Sequence, residues 1–397
     1  MATICFYLHC HQPFRLKKFS VFDIGQNQSY FDEQKNKTYL ERIVHKSYLP
    51  TTQILLDLIK KTKKKFKVSF SITGTLLEQL EKDFPEVIKN FQKLVKTDCV
   101  ELLSETYYHS LAYIFSKKEF KKQVLLHKKK LKEIFNYEPK VFRNTELMFN
   151  NEIAQFVEKM GYKGILAEGV DHILEWRSPN FVYQTKSVKN IKLLLKNYRL
   201  SDDIAFRFSN REWNQWPLTV EKYADWFNQA SGQIINLFMD FETFGEHQWA
   251  DTGIFDFLKL FPDEILKHGH NFKTPSEIIK LYKPVAELDF PYIVSWADME
   301  RDLSAWLGNK MQQSAAEKIY SLENEVLITK NKKIIEDWRK LQISDHFYYI
   351  CTKWFNDGDV HKYFNPYHSP YECFITFMNI FNDLKLKLEK RSTSNKF

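Results

Sequence analysis

A closed parallel (β/α) barrel followed by a helical domain is the architecture this sequence predicts, and three observations carry the prediction. Short, nearly continuous apolar runs alternate with longer amphipathic stretches over residues 3–239. From about Asp302 onward the pattern is helical throughout. Unusual polar residues gather just past the ends of four of the predicted strands.

The strand candidates are Thr3–Leu8, Lys67–Ile72, Cys99–Leu103, Lys140–Arg143, Lys163–Leu166, Ile191–Leu195 and Gln233–Met239. Most lack an apolar/polar alternation, as expected of parallel strands covered on both faces. Helical spacing marks Tyr48–Lys61, Leu76–Val95, Lys117–Phe135, Asn151–Met160 and Thr219–Ala230 between them. Seven strands alternating with helices point to a closed barrel rather than an open sheet. Gln312–Ile319, Ile334–Leu341 and Cys373–Leu388 then carry apolar residues three and four apart, the mark of a helical bundle. The expected division is a barrel over 1–297 and a helical domain over 298–397 that closes over the active-site cleft, with a frayed polar end, KLEKRSTSNKF.

Composition narrows the class of function. With 397 residues and 44% apolar content, the chain can bury one large core with an appendage. Lys and Arg exceed Asp and Glu by 58 − 50 = 8, mostly through dispersed lysines such as Lys60, Lys61 and Lys63 to Lys65. No stripe of arginine and aromatic residues accompanies them, so they read as a solvated surface and no nucleic-acid partner is expected. Aromatic content is high, at 16%, and exposed Trp and Tyr planes suit the C–H faces of sugar rings. Five cysteines, with no Cys-x-x-Cys pair, read as the reduced thiols of a cytoplasmic protein. The opening MATICFYLHCHQP has neither a basic leader nor a long apolar run, so no export signal and no membrane anchor are expected.

The chemistry should sit at the strand ends. The first strand runs into His9-Cys10-His11-Gln12-Pro13, and the third into Glu105-Thr106-Tyr107-Tyr108-His109. The fourth reaches Asn144-Thr145-Glu146, and the last Asp240-Phe241-Glu242. In a (β/α) barrel the carboxyl ends of the strands line one mouth, so these groups converge. Two carboxylates facing each other there can split a glycosidic bond, one attacking the anomeric carbon and the other handling the proton. Glu146 and Asp240 are the natural pair, because each directly follows an apolar strand. Glu242, two residues beyond Asp240, competes for the role of acid. The acid must hold a proton near neutral pH, so burial and the neighbouring carboxylate are expected to raise the pKa of Asp240.

The His9-x-His11 pair has a second reading as the start of a metal centre, with His109 and His247 as further ligands. The preferred reading gives the histidines to sugar hydroxyls and leaves the chemistry to the carboxylates, without metal or cofactor. Trp249, Trp296, Asp203 and Arg207 read as ordinary packing or a structural ion pair.

Five blocks in order make the sequence recognisable: HCHQP at 9–13, LLSETYYHSL at 102–111, FRNTEL at 142–147, MDFETFGEHQ at 239–248 and ADMERDLSAWLGN at 297–309. Together they resemble glycoside hydrolase family 57, within it the α-amylase-like branch. The resemblance implies an incomplete (β/α)7 barrel followed by helices, and retaining chemistry with Glu146 as nucleophile and Asp240 as general acid/base. It implies that His9 and His11 hold the glucosyl unit at the cleavage point, that Glu242 supports the site, and that Asp302 and Trp306 belong to a segment closing over the sugar. His109 stands where other branches carry a Glu, and Arg143 where some carry a Trp. The expected activity is hydrolysis of α-1,4 bonds in α-glucans or malto-oligosaccharides. The alternatives are a 4-α-glucanotransferase using the same pair, a carbohydrate-binding protein on the same scaffold, and a metal-dependent polysaccharide deacetylase.

Overall fold

The structure, a computed structural model, describes residues 1–186, 188–353, 361 and 365–394, with the backbone alone for 392–394. Among the described residues there are ten strands: β1 Thr3–Cys10, β2 Val68–Ile72, β3 Val100–Leu102, β4 Val141–Arg143, β5 Gly164–Glu168, β6 Val182–Thr185, β7 Val188–Lys196, β8 Ile234–Asp240, β9 Asn271–Phe272 and β10 Glu287–Leu288. Seven of them form the ring. Parallel ladders join β8 to β1, β1 to β2 and β2 to β3. A single parallel bridge, Ser104 to Phe142, carries the ring from β3 to β4. Parallel ladders continue from β4 to β5 and from β5 to β7. Between β7 and β8 the link is Asn236, whose carbonyl accepts from the Asn197 N–H and whose side-chain amide donates to the Leu195 carbonyl. The ring is therefore a (β/α)7 barrel, and all seven predicted strands are in it. The short strands β6, β9 and β10 lie outside the ring and carry no sequence signal of their own. The expected single helix over 76–95 is two helices, Gly74–Asp83 and Pro85–Val95, because Pro85 cannot continue the first.

Strand parity explains what the barrel holds. On β1, Ile4, Phe6, Leu8 and Cys10 pack outward into the large core beneath the helices. Cys5 and Tyr7 instead join the inner core, together with Val141 of β4, Leu166 of β5, Leu194 of β7 and Phe238 of β8. Side chains alternate along a strand, so the next inward position of each strand is fixed by this layer. Those positions are His9, Arg143, Glu168, Lys196 and Asp240. Glu105 follows inward-facing Leu103 in the same way. A polar layer at the carboxyl mouth thus rests directly on an apolar one.

Contacts divide the chain into two compact units, and the division is discontinuous in sequence. The first comprises 1–11, 39–105 and 126–296, and holds the barrel. The second comprises 12–38, 106–125 and 297–397, and is mainly helical. Its long helix, Pro370–Ser394, packs Cys373, Phe377, Ile380 and Leu384 inward. Asp383 on that helix accepts from the Gly25 N–H at 2.6 Å and the Tyr30 hydroxyl at 2.7 Å, tying the 12–38 excursion to it. The helix takes in most of the polar end expected to fray, whose last three residues lie outside the described ones.

Candidate active site

Ladder register brings His9 and Asp240 side by side, since the two are partners in the β1/β8 pairing. The His9 Nδ1 lies 3.5 Å from an Asp240 carboxylate oxygen, and its Nε2 lies 3.4 Å from Glu105. One buried imidazole therefore spans two carboxylates. The His11 ring stacks beside it with centroids 6.1 Å apart, and the His11 Nδ1 meets the Thr73 hydroxyl at 3.0 Å. Thr73 is also the N-cap of the helix after β2, so its position is set by that helix start.

Glu146 sits in a one-turn 3₁₀ helix after β4, at φ 55° and ψ 29°, and Leu147 follows at φ 51°. Two successive non-glycine residues in the left-handed region are costly and persist only where the surroundings impose them. Here Trp296 does so: its backbone N–H donates to the Glu146 carbonyl at 3.2 Å, and its indole N–H donates to the Glu146 carboxylate at 2.7 Å. The same indole meets the His9 ring edge-on, with centroids 6.1 Å apart. Glu146 and Asp240 are thus joined through Trp296 and His9.

Glu242 is buried in the short 3₁₀ turn after β8 and accepts a hydrogen bond from the Tyr48 hydroxyl. Arg143 is fully buried, with its guanidinium 4.9 Å from the centre of the Trp296 ring and 3.8 Å from Glu105. Lys196 approaches the same indole at 5.5 Å while paired to Glu168 at 3.4 Å and Asp202 at 2.9 Å. Trp296, read from the sequence as packing, is therefore the hub of the site. Asp203 and Arg207 form the expected ion pair at 2.6 Å, and Trp249 is an exposed ring beneath Lys46.

Three of the expected site residues belong to the second unit. His109 is buried at φ 48°, and its carbonyl accepts from the Ser344 N–H at 2.9 Å. Asp302 accepts from the Ser304 N–H at 2.8 Å, opening the turn Ser304–Leu307. Trp306 on that turn is buried, its ring 6.2 Å from Tyr348.

The electrostatics correct one expectation. The Asp240 carboxyl is held below the usual aspartate range, not above it. Burial does push it upward, but the His9 hydrogen bond and the nearby His9, His247 and Arg143 together outweigh burial. Burial keeps the His247 imidazole below its ordinary value, against the pull of Asp240 and Glu246. The sequence cannot show this balance, because it depends on the β1/β8 register and on an arginine from β4.

The sequence profile of glycosyl hydrolase family 57 matches residues 5–291. A protein of Methanocaldococcus jannaschii named "Putative alpha-amylase" is 42% identical over 99% of this chain and 86% of its own length. Solved structures share the fold. The α-amylase AmyC of Thermotoga maritima superposes with a TM-score of 0.64 at 13% identity, covering 100% of this chain and 94% of its own. A branching enzyme of Thermococcus kodakaraensis gives 0.66 at 15% identity, covering 88% and 86%. A 4-α-glucanotransferase of Thermococcus litoralis gives 0.60 at 18% identity over 91% of this chain, which spans only 54% of that longer enzyme. The profile match and the M. jannaschii relative make the protein a glycoside hydrolase. The chain belongs to glycosyl hydrolase family 57. Among the described residues no helix is long and apolar enough to cross a membrane.

Proposed function

We propose that this glycoside hydrolase cleaves α-1,4-glucosidic bonds of α-glucans or malto-oligosaccharides by double displacement, with Glu146 as nucleophile and Asp240 as general acid/base. One observation carries the reading: Trp296 donates to Glu146 and meets His9, which in turn reaches Asp240, so two carboxylates from different strands share one barrel mouth. In the first step a Glu146 carboxylate oxygen bonds to the anomeric carbon as the glycosidic C–O bond breaks, and Asp240 gives its proton to the leaving oxygen. In the second, water attacks the same carbon, Asp240 takes its proton, and the Glu146 ester is released.

The roles of the other residues are part of the same proposal. His9 and His11 hold the hydroxyls of the sugar being cleaved, and Glu242, steadied by Tyr48, supports that sugar. The family resemblance extends the substrate-binding assignment to His109, Asp302 and Trp306. Trp296 aims the Glu146 carboxylate through its indole hydrogen bond. A cytoplasmic location fits the five cysteines, all unpaired and buried. The M. jannaschii relative's name favours hydrolysis, and the glucanotransferase neighbour keeps transfer to a second sugar as the rival outcome of the same intermediate. Incubation with maltoheptaose separates them. Only shorter sugars mean hydrolysis, longer sugars as well mean transfer, and an unchanged substrate rejects the proposal.

A further inference from the structure

The rim of the barrel mouth beyond β5 and β7 carries groups that the bond-cleaving site does not use. The loop after β5 presents His172 and Trp176. The His172 ring stacks on Tyr292, with centroids 5.7 Å apart and planes 25° from parallel. Tyr292 remains 53% exposed and Trp176 85% exposed, although rings of this size gain most by burial. Polar groups flank them. The Tyr198 hydroxyl, just past β7, donates to Asp171 at 2.7 Å, and the Arg199 guanidinium stands 3.7 Å from the same carboxylate. The Arg177 guanidinium lies 5.0 Å from the centre of the Trp176 ring.

Two features place this rim beside the cleavage point. Around the ring, β5 and β7 lie between β4, which leads to Glu146, and β8, which ends at Asp240. His9 on β1 and His11 just past its end stand on the other arc. In sequence, Tyr292 precedes Trp296 by four residues, so their Cα atoms are at most about 14 Å apart even in a fully extended chain. The backbone pairing of Phe149 with Val294 pins the segment between them to the chain just past Glu146. A glucan held at Glu146 therefore has this arc within reach of its next units.

We propose that Tyr292, stacked on His172, is a platform for a distal glucosyl unit of the α-glucan, with Trp176 as a second plane farther out. This inference rests on the α-glucan reading above and adds a determinant of chain length to it. The physics is that of sugar recognition by aromatic planes: the C–H face of a pyranose covers the exposed ring, and the flanking carboxylate and guanidinium take hydroxyls. The stacked His172 fixes the tilt of Tyr292 before the sugar arrives, so less ordering is needed on binding. The platform holds units far from the scissile bond, so it strengthens binding of long chains and leaves the bond-breaking steps alone.

The experiment compares kcat/KM for maltotriose through maltoheptaose in the parent, Tyr292→Ala, Tyr292→Phe and Trp176→Ala. Tyr292→Ala should lose about tenfold on maltoheptaose, mostly in KM, and little on the shortest chain that is cleaved. Tyr292→Phe keeps the ring and should retain the parent's preference for length. Trp176→Ala should lose less, and only on the longest chains. An equal loss for every chain length in Tyr292→Ala, or no loss at all, overturns the platform while the parent's turnover still supports the α-glucan reading. A parent that turns over no maltosaccharide overturns that reading first, and this inference with it.

Discussion

The indole N–H of Trp296 donates to the Glu146 carboxylate at 2.7 Å, and the Trp296 backbone N–H holds the carbonyl of the same residue. Both ends of a strained residue are thus fixed by one tryptophan that lies 150 residues away in sequence. Trp296→Phe keeps an aromatic ring but removes the indole donor. It should cost roughly 1.5–3 kcal/mol, or about tenfold to a hundredfold, chiefly in kcat. Glu146→Gln should cost far more, about a thousandfold or beyond, while maltoheptaose still binds, because an amide cannot form the glycosyl ester. Steady-state kinetics and calorimetric titration check both. A Glu146→Gln variant within tenfold of the parent removes Glu146 from the nucleophile's role.

The depressed Asp240 pKa sets the sign of a pH effect. The first step needs Asp240 protonated, and in the free enzyme that form is lost as pH rises through its lowered value. The alkaline limb of kcat/KM should therefore lie on the acid side of an ordinary aspartate. His9→Asn removes the largest of the groups that stabilise the charged form and leaves burial, which acts the other way. The limb should then move to higher pH even as kcat falls. A limb that stays in place, or moves down, contradicts this electrostatic account. If Glu242→Gln removes the limb and Asp240→Asn does not, the acid is Glu242.

An imidazole lying between two carboxylates is also a setting that attracts a divalent cation, so the absence of a metal requirement is a prediction that can fail. Exhaustive chelation should leave the rate on maltoheptaose unchanged. Activity lost in chelator and restored by zinc would return the metal-dependent hydrolase to first place.

In the helical unit, the His361 imidazole stands 3.0 Å from Asp298 and is pushed up to about 9. Burial favours the neutral ring, but the hydrogen bonds to Asp298 and Cys351 outweigh it. A raised pKa contributes stability that is fully present below the unfolded value of about 6.5 and is lost as pH rises through about 9. His361→Gln should destabilise the protein by roughly 1–3 kcal/mol at pH 6 and much less at pH 10. Thermal melts at the two pH values check this, and equal losses at both would refute it.

The barrel was legible because burial on both faces leaves its strands as apolar runs, and because His9, Glu105, Glu146 and Asp240 follow those runs directly. What escaped the sequence is what depends on distance along the chain. Trp296 lies in a loop with no periodicity, so nothing local separates it from a packing residue. The excursions 12–38 and 106–125 join the helical unit through contacts such as Tyr30 to Asp383, which no composition shift announces. The direction of the Asp240 shift is not legible locally, because it depends on His9 in register on β1 and on Arg143 arriving from β4.

A retaining reaction on an α-glucan requires carboxyl groups about 5 Å apart and two inversions at the anomeric carbon. Proton NMR during the first minutes of maltoheptaose cleavage reads the outcome directly, before mutarotation mixes the anomers. The new reducing ends should appear first as the α-anomer. Initial appearance of the β-anomer would make the enzyme inverting and contradict the assignment of Glu146 as nucleophile.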